Sequence, residues 1–158
     1  MPTVSFEPAT YADAAYVARR MRPGDANEIL PLLWGGAEDL ALSASAAHYA
    51  RTAFYAGKPV AVVGGTQTHP ACWQVFMFAT NDWPRVALSV TRHVVKEMLP
   101  AWYASGANRA ECRSHADYDW AHRWLEMMGA SREAVIPEYG REAETYYQYV
   151  WLRSKTEV

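Results

Sequence analysis

Three side chains that could bind a metal or transfer a proton lie close together in this sequence. Cys112, His115 and His122 have the spacing C-x2-H-x6-H. A structural zinc site needs a fourth ligand, which is not evident here, so we interpret them as a strand cysteine and two surface histidines and expect no metal. His115 with Asp117 or Asp119 could instead pair a general base with an orienting carboxylate, but aspartates that cap the next helix explain the same pattern.

A second candidate is the turn at residues 81–85, NDWPR, which leads into a long helix. The first amides of a helix are unpaired and attract anions. A phosphate cradle usually contains glycine, and this turn has none. Asp82 repels a phosphate and Pro84 removes a donor, whereas Arg85 attracts one. Two interpretations remain open, an anion site and a plain helix start capped by Asp82.

The turn is expected to lie between a central strand and a long helix. Residues 72–80 are rich in aromatic and branched side chains, which is typical of a central strand covered on both faces. In the following helix an apolar residue recurs every fourth position, so one helix face should pack on the sheet. Pro100 is expected to end or kink the helix. The recurring residues are Val86, Val90, Val94 and Met98.

Turn and periodicity signals divide the remaining chain into strands and helices. Gly64 and Gly65 predict a bulge or a close approach of two backbones. The order of elements predicts an α+β protein with a mixed, mostly antiparallel sheet flanked by helices, in one domain, residues 1–158. The predicted strands are 3–7, 52–55, 60–63, 110–113, 134–136 and 145–153. The predicted helices are 10–21, one from Asp25 or Asn27 to Trp34, 41–50 with Ser43 or Ser45 as caps, and one from Asp117 or Asp119 to Gly129.

Composition narrows the classes of partner and location. The net charge of −2 gives no reason to expect nucleic acid or an anionic membrane as a partner. Two cysteines make no disulfide framework, and we expect a reducing cytoplasm. No apolar run approaches the roughly 20 residues that span a bilayer. Seven tryptophans and ten tyrosines are a high load, which favours an assembly surface.

With these elements placed, the chain resembles the GNAT (Gcn5-related N-acetyltransferase) superfamily. Residues 121–130, AHRWLEMMGA, follow the spacing of a frequent GNAT helix, A-x-x-F-Y-E-K-x-G-F. The segments AGKPVAVVGG (56–65), CW (72–73) and W-L-x-x-x-G-A (124–130) are similar to the acetyltransferase-like internal virion protein A family of short-tailed bacteriophages. The resemblance implies a GNAT-like fold whose sheet splays open after the strand at residues 72–80.

The sequence departs from the GNAT pattern at two functional positions. The family holds the pyrophosphate of acetyl-CoA on a loop of the type Q/R-x-x-G-x-G/A, whereas residues 81–89 read NDWPRVALS. The frequent general-acid tyrosine of the family falls on Leu125, which has no proton to donate. Tyr118, a turn and a half earlier, is a weak candidate substitute, and a packing role explains it as well.

The resemblance and its departures together predict a non-catalytic phage virion or assembly protein that needs no cofactor. Its expected partners are other phage structural proteins or further copies of itself, in the virion or the host cytoplasm. The alternative is an active acyl-CoA-dependent N-acetyltransferase with an atypical loop, which would bind acetyl-CoA at Phe78, Ala79, Thr80 and Arg85. A third hypothesis is a host-directed protein that binds a peptide or another protein in the open cleft.

An assembly protein should present aromatic anchors on its surface. We expect these at Trp83 and on the last strand at Tyr147, Tyr149 and Trp151. The alternative is that the last three cover a helix.

Overall fold

The computed structural model describes residues 2–156. It contains a seven-stranded sheet with helices on both faces. The strand order is β1-β2-β3-β4-β5-β7-β6. The strands are β1 (Val4–Pro8), β2 (Tyr49–Tyr55), β3 (Lys58–His69), β4 (Cys72–Ala79), β5 (Arg109–His115), β6 (Ser131–Ile136) and β7 (Tyr146–Leu152). The helices are α1 (Tyr11–Arg19), α2 (Pro23–Ile29), α3 (Ala37–Ser45), α4 (Ala87–His93), α5 (Leu99–Ala104), α6 (Asp119–Met127) and α7 (Arg153–Thr156), with 3₁₀ turns at Leu30–Leu32 and Trp83–Arg85 and a π-helical segment at Val94–Met98.

The pairing of β4 with β5 is the one parallel pairing between the described strands, and it is short. Residues 72–74 of β4 pair with residues 109–111 of β5, and all other neighbouring strands run antiparallel. Beyond Gln74 the two strands part while β5 continues to pair with β7 as far as His115. The predicted mixed, mostly antiparallel sheet that splays after the fourth strand is confirmed.

Two hydrophobic layers cover the two faces of the sheet. Helices α1 and α3 pack on one face through small side chains such as Ala14 and Ala41. The other face carries the long helical segment from α4 to α5 and helix α6. The predicted apolar stripe is confirmed, because Val86, Val90, Val94 and Met98 are all buried.

Pro100 does not end the long helix. The amide of Leu99 bonds to the carbonyl of Val94, five residues back, so the helix widens into a π turn just before the proline. Pro100 then lies in the first turn of α5, the position in a helix where proline is best tolerated. The prediction that the helix would end at Pro100 is therefore wrong, because the change in hydrogen bonding lets the helix continue.

The predicted N-terminal caps of α4 and α6 are both wrong. Asp82 makes no capping bond, and its own amide donates to Thr80 Oγ1 because a 3₁₀ turn intervenes before α4. Neither Asp117 nor Asp119 caps α6, which has Tyr118 at its N-cap without a side-chain bond. The amide of Asp117 donates instead to His115 Nδ1.

The third helix begins and ends earlier than expected. It is α3, Ala37–Ser45, so Ser43 and Ser45 lie near its end and cap nothing at its start. Ala50 belongs to β2, where it pairs with Gly64. Cross-strand pairing overrides the helix propensity of the alanine-rich segment.

The predicted close approach at the paired glycines is confirmed. A Cβ on Gly64 would lie 2.0 Å from the carbonyl oxygen of Tyr49, and one on Gly65 would lie 2.6 Å from the indole of Trp102. Glycine is therefore required where β2 and the long helix meet β3. Within the described part of the chain, no helix is long and apolar enough to cross a membrane.

Candidate functional site: a cleft bridged by helix α2

The buried carboxylate of Asp25 occupies the gap where β4 leaves β5. Asp25 is 3% exposed. Its Oδ2 accepts a hydrogen bond from the amide of Ala79 (2.9 Å), and its Oδ1 accepts one from the hydroxyl of Tyr118 (2.7 Å). The amide of the next residue, Thr80, donates to Val60 on β3 (2.9 Å), so the amide of Ala79 points to the opposite side, toward the gap. Asp25 therefore satisfies a strand amide that has no strand partner.

Arg22 balances the charge of this carboxylate. Its Nε lies 3.0 Å from Asp25 Oδ1, and both side chains are largely buried. The guanidinium carbon lies 4.2 Å from the ring centroid of Trp120 and 4.9 Å from that of Trp83. The indole faces attract the cation and hold it beside the carboxylate.

Glu28, one turn after Asp25 on α2, makes the matching contact with β5. Its Oε2 accepts hydrogen bonds from Ser114 Oγ (2.8 Å) and from the amide of His115 (3.2 Å). Burial raises the pKa of Glu28 to about 7, and these two hydrogen bonds oppose that rise. The hydroxyl of Tyr146 on β7 also donates to the carbonyl of Glu28 (2.6 Å). Helix α2 thus bridges the split sheet, with one carboxylate on each strand.

Three tryptophans fill the space between the start of α4 and α6. The ring centroids of Trp83 and Trp124 are 5.3 Å apart, those of Trp83 and Trp120 are 5.8 Å apart, and Trp120 stacks on Trp124 at 5.7 Å. The indole nitrogen of Trp124 donates to Thr91 Oγ1 on α4 (2.9 Å). This packing joins the two helices that flank the opening.

The residues predicted to bind acetyl-CoA are brought close together, but they already have partners. Phe78 is fully buried and packs toward α1, and the amides of Ala79 and Thr80 bond to Asp25 and Val60. The guanidinium carbon of Arg85 lies 5.2 Å from the ring centroid of Tyr55. The turn has no glycine cradle, and the amide of Ala79 is already bonded to Asp25, so this amide is not free to hold the carbonyl of an acetyl thioester.

Tyr118 lies at the mouth of the cleft, where its hydroxyl donates to Asp25 Oδ1 (2.7 Å). Burial, together with the charge of Asp25, raises the pKa of Tyr118 above its usual value. A general acid works best with a pKa near the ambient pH, so this environment disfavours proton donation. Leu125, the residue at the family's tyrosine position, is buried in the core.

An open pocket of about 660 Å³ lies outside Tyr118. Helix α2 and the 3₁₀ turn that follows it form one wall, and the β6–β7 connection forms another. The polar lining includes Asn27, His115, Asp117, Arg141, Glu142 and Glu144. Carboxylates outnumber the single arginine, so the pocket favours a polar or cationic group.

The aromatic residues predicted as partner anchors are not on the surface. Trp83, Tyr149 and Trp151 are buried and Tyr147 is half-buried. The expected exposure is wrong because β7 is an inner strand between β5 and β6, and this face of β7 packs on α6. The alternative interpretation, that the β7 residues cover a helix, describes the structure. His122 stacks on Tyr149 at 5.6 Å, and the indole nitrogen of Trp151 donates to the carbonyl of Met128.

The cysteine and histidine cluster is dispersed. Among residues 2–156 no group of three potential metal ligands lies together. His122 is buried, and its Nε2 lies 2.9 Å from the carbonyl oxygen of His115, so the prediction of a surface histidine is wrong there. Burial also raises the pKa of the Cys112 thiol, which keeps it protonated and unreactive.

Sequence reasoning missed Arg22, Asp25 and Glu28 as site residues. The sequence predicts at this place only a helix that begins at Asp25 or Asn27. Their partners lie far along the chain, 54 positions away for Asp25 with Ala79 and 86 for Glu28 with Ser114. No local pattern reports such contacts.

No protein family profile and no curated protein sequence matches this chain. Its structure is similar to Ard1 from Thermoplasma volcanium, with a TM-score of 0.74, 16% identity, and coverage of 94% of this chain and 97% of that one. An acetyltransferase of the GNAT family from Streptococcus pneumoniae aligns with a TM-score of 0.66 and 15% identity over 95% and 99% of the two chains. The protein yncA from Salmonella typhimurium, solved with its cofactor acetyl-CoA, aligns with a TM-score of 0.70 and 8% identity over 94% and 93%.

The chain therefore has the fold of the GNAT acetyltransferases, which confirms the predicted fold class. Identities this low establish the fold and leave the activity open. The narrower resemblance to the phage internal virion protein A family remains a prediction.

Proposed function

We propose that this chain is a GNAT-fold protein that no longer transfers acetyl groups and acts as a virion or assembly component of a bacteriophage. Its partners would be other phage structural proteins or further copies of itself, in the particle or the host cytoplasm. It would need no cofactor.

The observation that carries this proposal is the engaged amide of Ala79. Strand amides at the gap are where a substrate carbonyl would be polarised, because donors fixed in a buried site stabilise developing negative charge. Here the carboxylate of Asp25 accepts from that amide, and Arg22 and Tyr118 hold the carboxylate in place. An acyl group would have to displace a buried ion pair to reach the strand.

Sequence features support the same proposal independently. The turn at residues 81–85 has no glycine, and Leu125 stands where the family often has its proton donor. The similarity of residues 56–65 and 124–130 to the phage protein family supplies the assembly role.

Isothermal titration of acetyl-CoA into the full chain tests the loss of catalysis. We expect no measurable binding and no thermal stabilisation, because a ligand that bound the native state would raise the melting temperature by mass action. Micromolar affinity in the wild type that is lost in Arg85→Glu would overturn the proposal.

The assembly role is tested in the source genome and in purified particles. We expect genes for portal or tail proteins beside this one, and we expect mass spectrometry to find the chain in the particles. A gene among unrelated metabolic genes, with no chain in the particles, would contradict the role.

The alternative is an active N-acetyltransferase, and the open pocket of about 660 Å³ favours it, since an acceptor could lie there beside Tyr118. This hypothesis predicts hydrolysis or transfer of acetyl-CoA that depends on Tyr118. If the wild type releases CoA with a panel of amines and Tyr118→Phe does not, the alternative is correct.

A further inference from the structure

A second opening lies on the other face of the split sheet, under α3. This groove has a volume of about 370 Å³, in the lower part of the range of small-molecule sites. One wall comes from α2 and the 3₁₀ turn after it, another from α3, and the floor from β3 and β4. The apolar lining includes Ile29, Leu32, Leu33, Leu40, Val75 and Phe76.

A second space lies next to this groove, near the point where β4 and β5 part. A smaller cavity of about 120 Å³ lies on the α6 side, and Ile29, Val75 and Phe76 line both spaces. No strand pairing closes the sheet between them, because β4 pairs with β5 only at residues 72–74. Each of the two spaces has a largely apolar lining.

Arg113 is the charged group at this groove that has no ionic partner. Within residues 2–156 its side chain makes no hydrogen bond or ion pair, and its Nε is buried. Its guanidinium carbon lies 5.5 Å from the ring centroid of Tyr139, which also lines the groove. A buried donor without a partner is costly, so an anion at this position would be stabilised.

The other ionisable group shared by the two spaces is Glu28, and it is already committed. Its Oε2 accepts from Ser114 and from the amide of His115, and among the described residues it forms no ion pair with Arg113. Glu28 therefore does not cancel the charge of Arg113 and does not call for a cationic ligand.

We propose that the groove binds a monocarboxylate with an unbranched apolar chain, its carboxylate on Arg113 and its chain between α3 and the sheet. A guanidinium presents paired donors that match a carboxylate. The aliphatic lining of the groove accepts an alkyl chain. This site lies on the face opposite α4 and does not depend on the function proposed above.

Decanoate, used below its critical micelle concentration, is the probe, and decanol and decylamine are the controls of equal chain length. Isothermal titration and thermal shift are measured on the full chain. We expect saturable one-to-one binding of decanoate. Both controls should bind about tenfold more weakly or worse, because neither can form the charge-assisted pair with Arg113.

Variants locate the site. Arg113→Gln should weaken decanoate about tenfold, Arg113→Lys should keep part of the affinity, and Arg123→Gln, an exposed arginine on α6, should have no effect. Ala47→Phe, at a half-buried position in the groove wall, should abolish binding without touching the charge. Because the Arg113 side chain makes no bond in the described structure, we expect its variants to fold.

Three results would overturn the proposal. They are no saturable binding of decanoate to the wild type, equal affinity for decanol, and unchanged affinity in both Arg113→Gln and Ala47→Phe. If Arg113→Gln failed to fold, Arg113→Lys and Ala47→Phe would decide the question alone.

Discussion

Asp25 concentrates more buried polar contacts than any other side chain described at the cleft. It joins α2 to β4, to the N-terminus of α6 through Tyr118, and to Arg22. Removing one member of a buried ionic group leaves the others without a partner in a low-dielectric site. Asp25 therefore stabilises the packing of α2 against β4 and α6.

We predict that Asp25→Ala lowers the free energy of unfolding by about 3 to 5 kcal/mol. The amide of Ala79, the hydroxyl of Tyr118 and the Arg22 guanidinium all lose their acceptor. Urea denaturation measures the change, and Asp117→Ala, at an exposed aspartate, is the matched control, with an effect within about 0.5 kcal/mol. Equal stability of the two variants would show that the buried contacts contribute little.

Glu28 should give the protein a distinct dependence on pH. Its folded pKa, about 7, is raised above its ordinary value of 4.5, so the folded state holds this proton more tightly than the unfolded state. Stability from this group is therefore lost as the pH rises from about 4.5 to 7. Allowing for its partial exposure, the loss is roughly 1 to 2 kcal/mol.

We predict that Glu28→Gln is more stable than the wild type at pH 8 and equal to it or weaker at pH 5. The amide oxygen of glutamine can still accept from Ser114 and His115. Thermal melts from pH 5 to 8 give the difference between the two proteins, which cancels the contributions of the buried histidines. Glu142→Gln, at an exposed site, should leave the profile unchanged, and a parallel profile for Glu28→Gln would refute the assignment.

At the scale of elements, the pairing of β2 with β3 depends on a side chain being absent. Gly64 lies where β2 passes so close that a Cβ would fall 2.0 Å from the backbone oxygen of Tyr49. Backbone atoms of a paired strand cannot move aside as the end of a flexible side chain can, so the strands themselves would have to separate.

We predict that Gly64→Ala destabilises the protein by about 2 to 4 kcal/mol, because it forces overpacking between paired strands. Gly36→Ala is the control, since a Cβ there meets nothing within 4 Å. Chemical denaturation of both variants provides the comparison. A Gly64→Ala protein as stable as Gly36→Ala would contradict the close approach.

At the scale of the whole molecule, most of the aromatic side chains are buried or half-buried, and Trp34 is the most exposed of those described. Trp151 is buried against α6, whereas Trp34, in the loop before α3, is 100% exposed. The surplus therefore serves mainly to fill the space between the sheet and its helices.

Trp151→Ala should cost about 3 to 5 kcal/mol of stability and Trp34→Ala less than about 0.5 kcal/mol. The first leaves a large cavity and removes a hydrogen bond to Met128, and the second removes no packing. Differential scanning calorimetry of the two variants tests this. A melting temperature that falls equally in both, or only in Trp34→Ala, would show that the burial pattern is wrong.

The sequence by itself determined the order of strands and helices, the buried stripe of the long helix and the close approach at Gly64. Each of these follows from periodicity or from a special residue within a few positions, and local rules of backbone and side-chain geometry suffice for them. The resemblance of residues 121–130 to a GNAT helix is also a short local pattern, so it could be recognised in the sequence alone.

Only the tertiary structure decided how the cleft is occupied. Asp25, a residue that locally starts a helix, becomes the acceptor of an amide 54 positions away, and Glu28 reaches β5 across 86 positions. Tyr149 and Trp151 lie on one face of a strand, and this pattern fits an exposed face as well as a buried one. They are buried because β7 lies between β5 and β6 and this face packs on α6. Such properties depend on which elements become neighbours in the fold. Sequence periodicity shows which face of an element is apolar but not which distant residue will contact it.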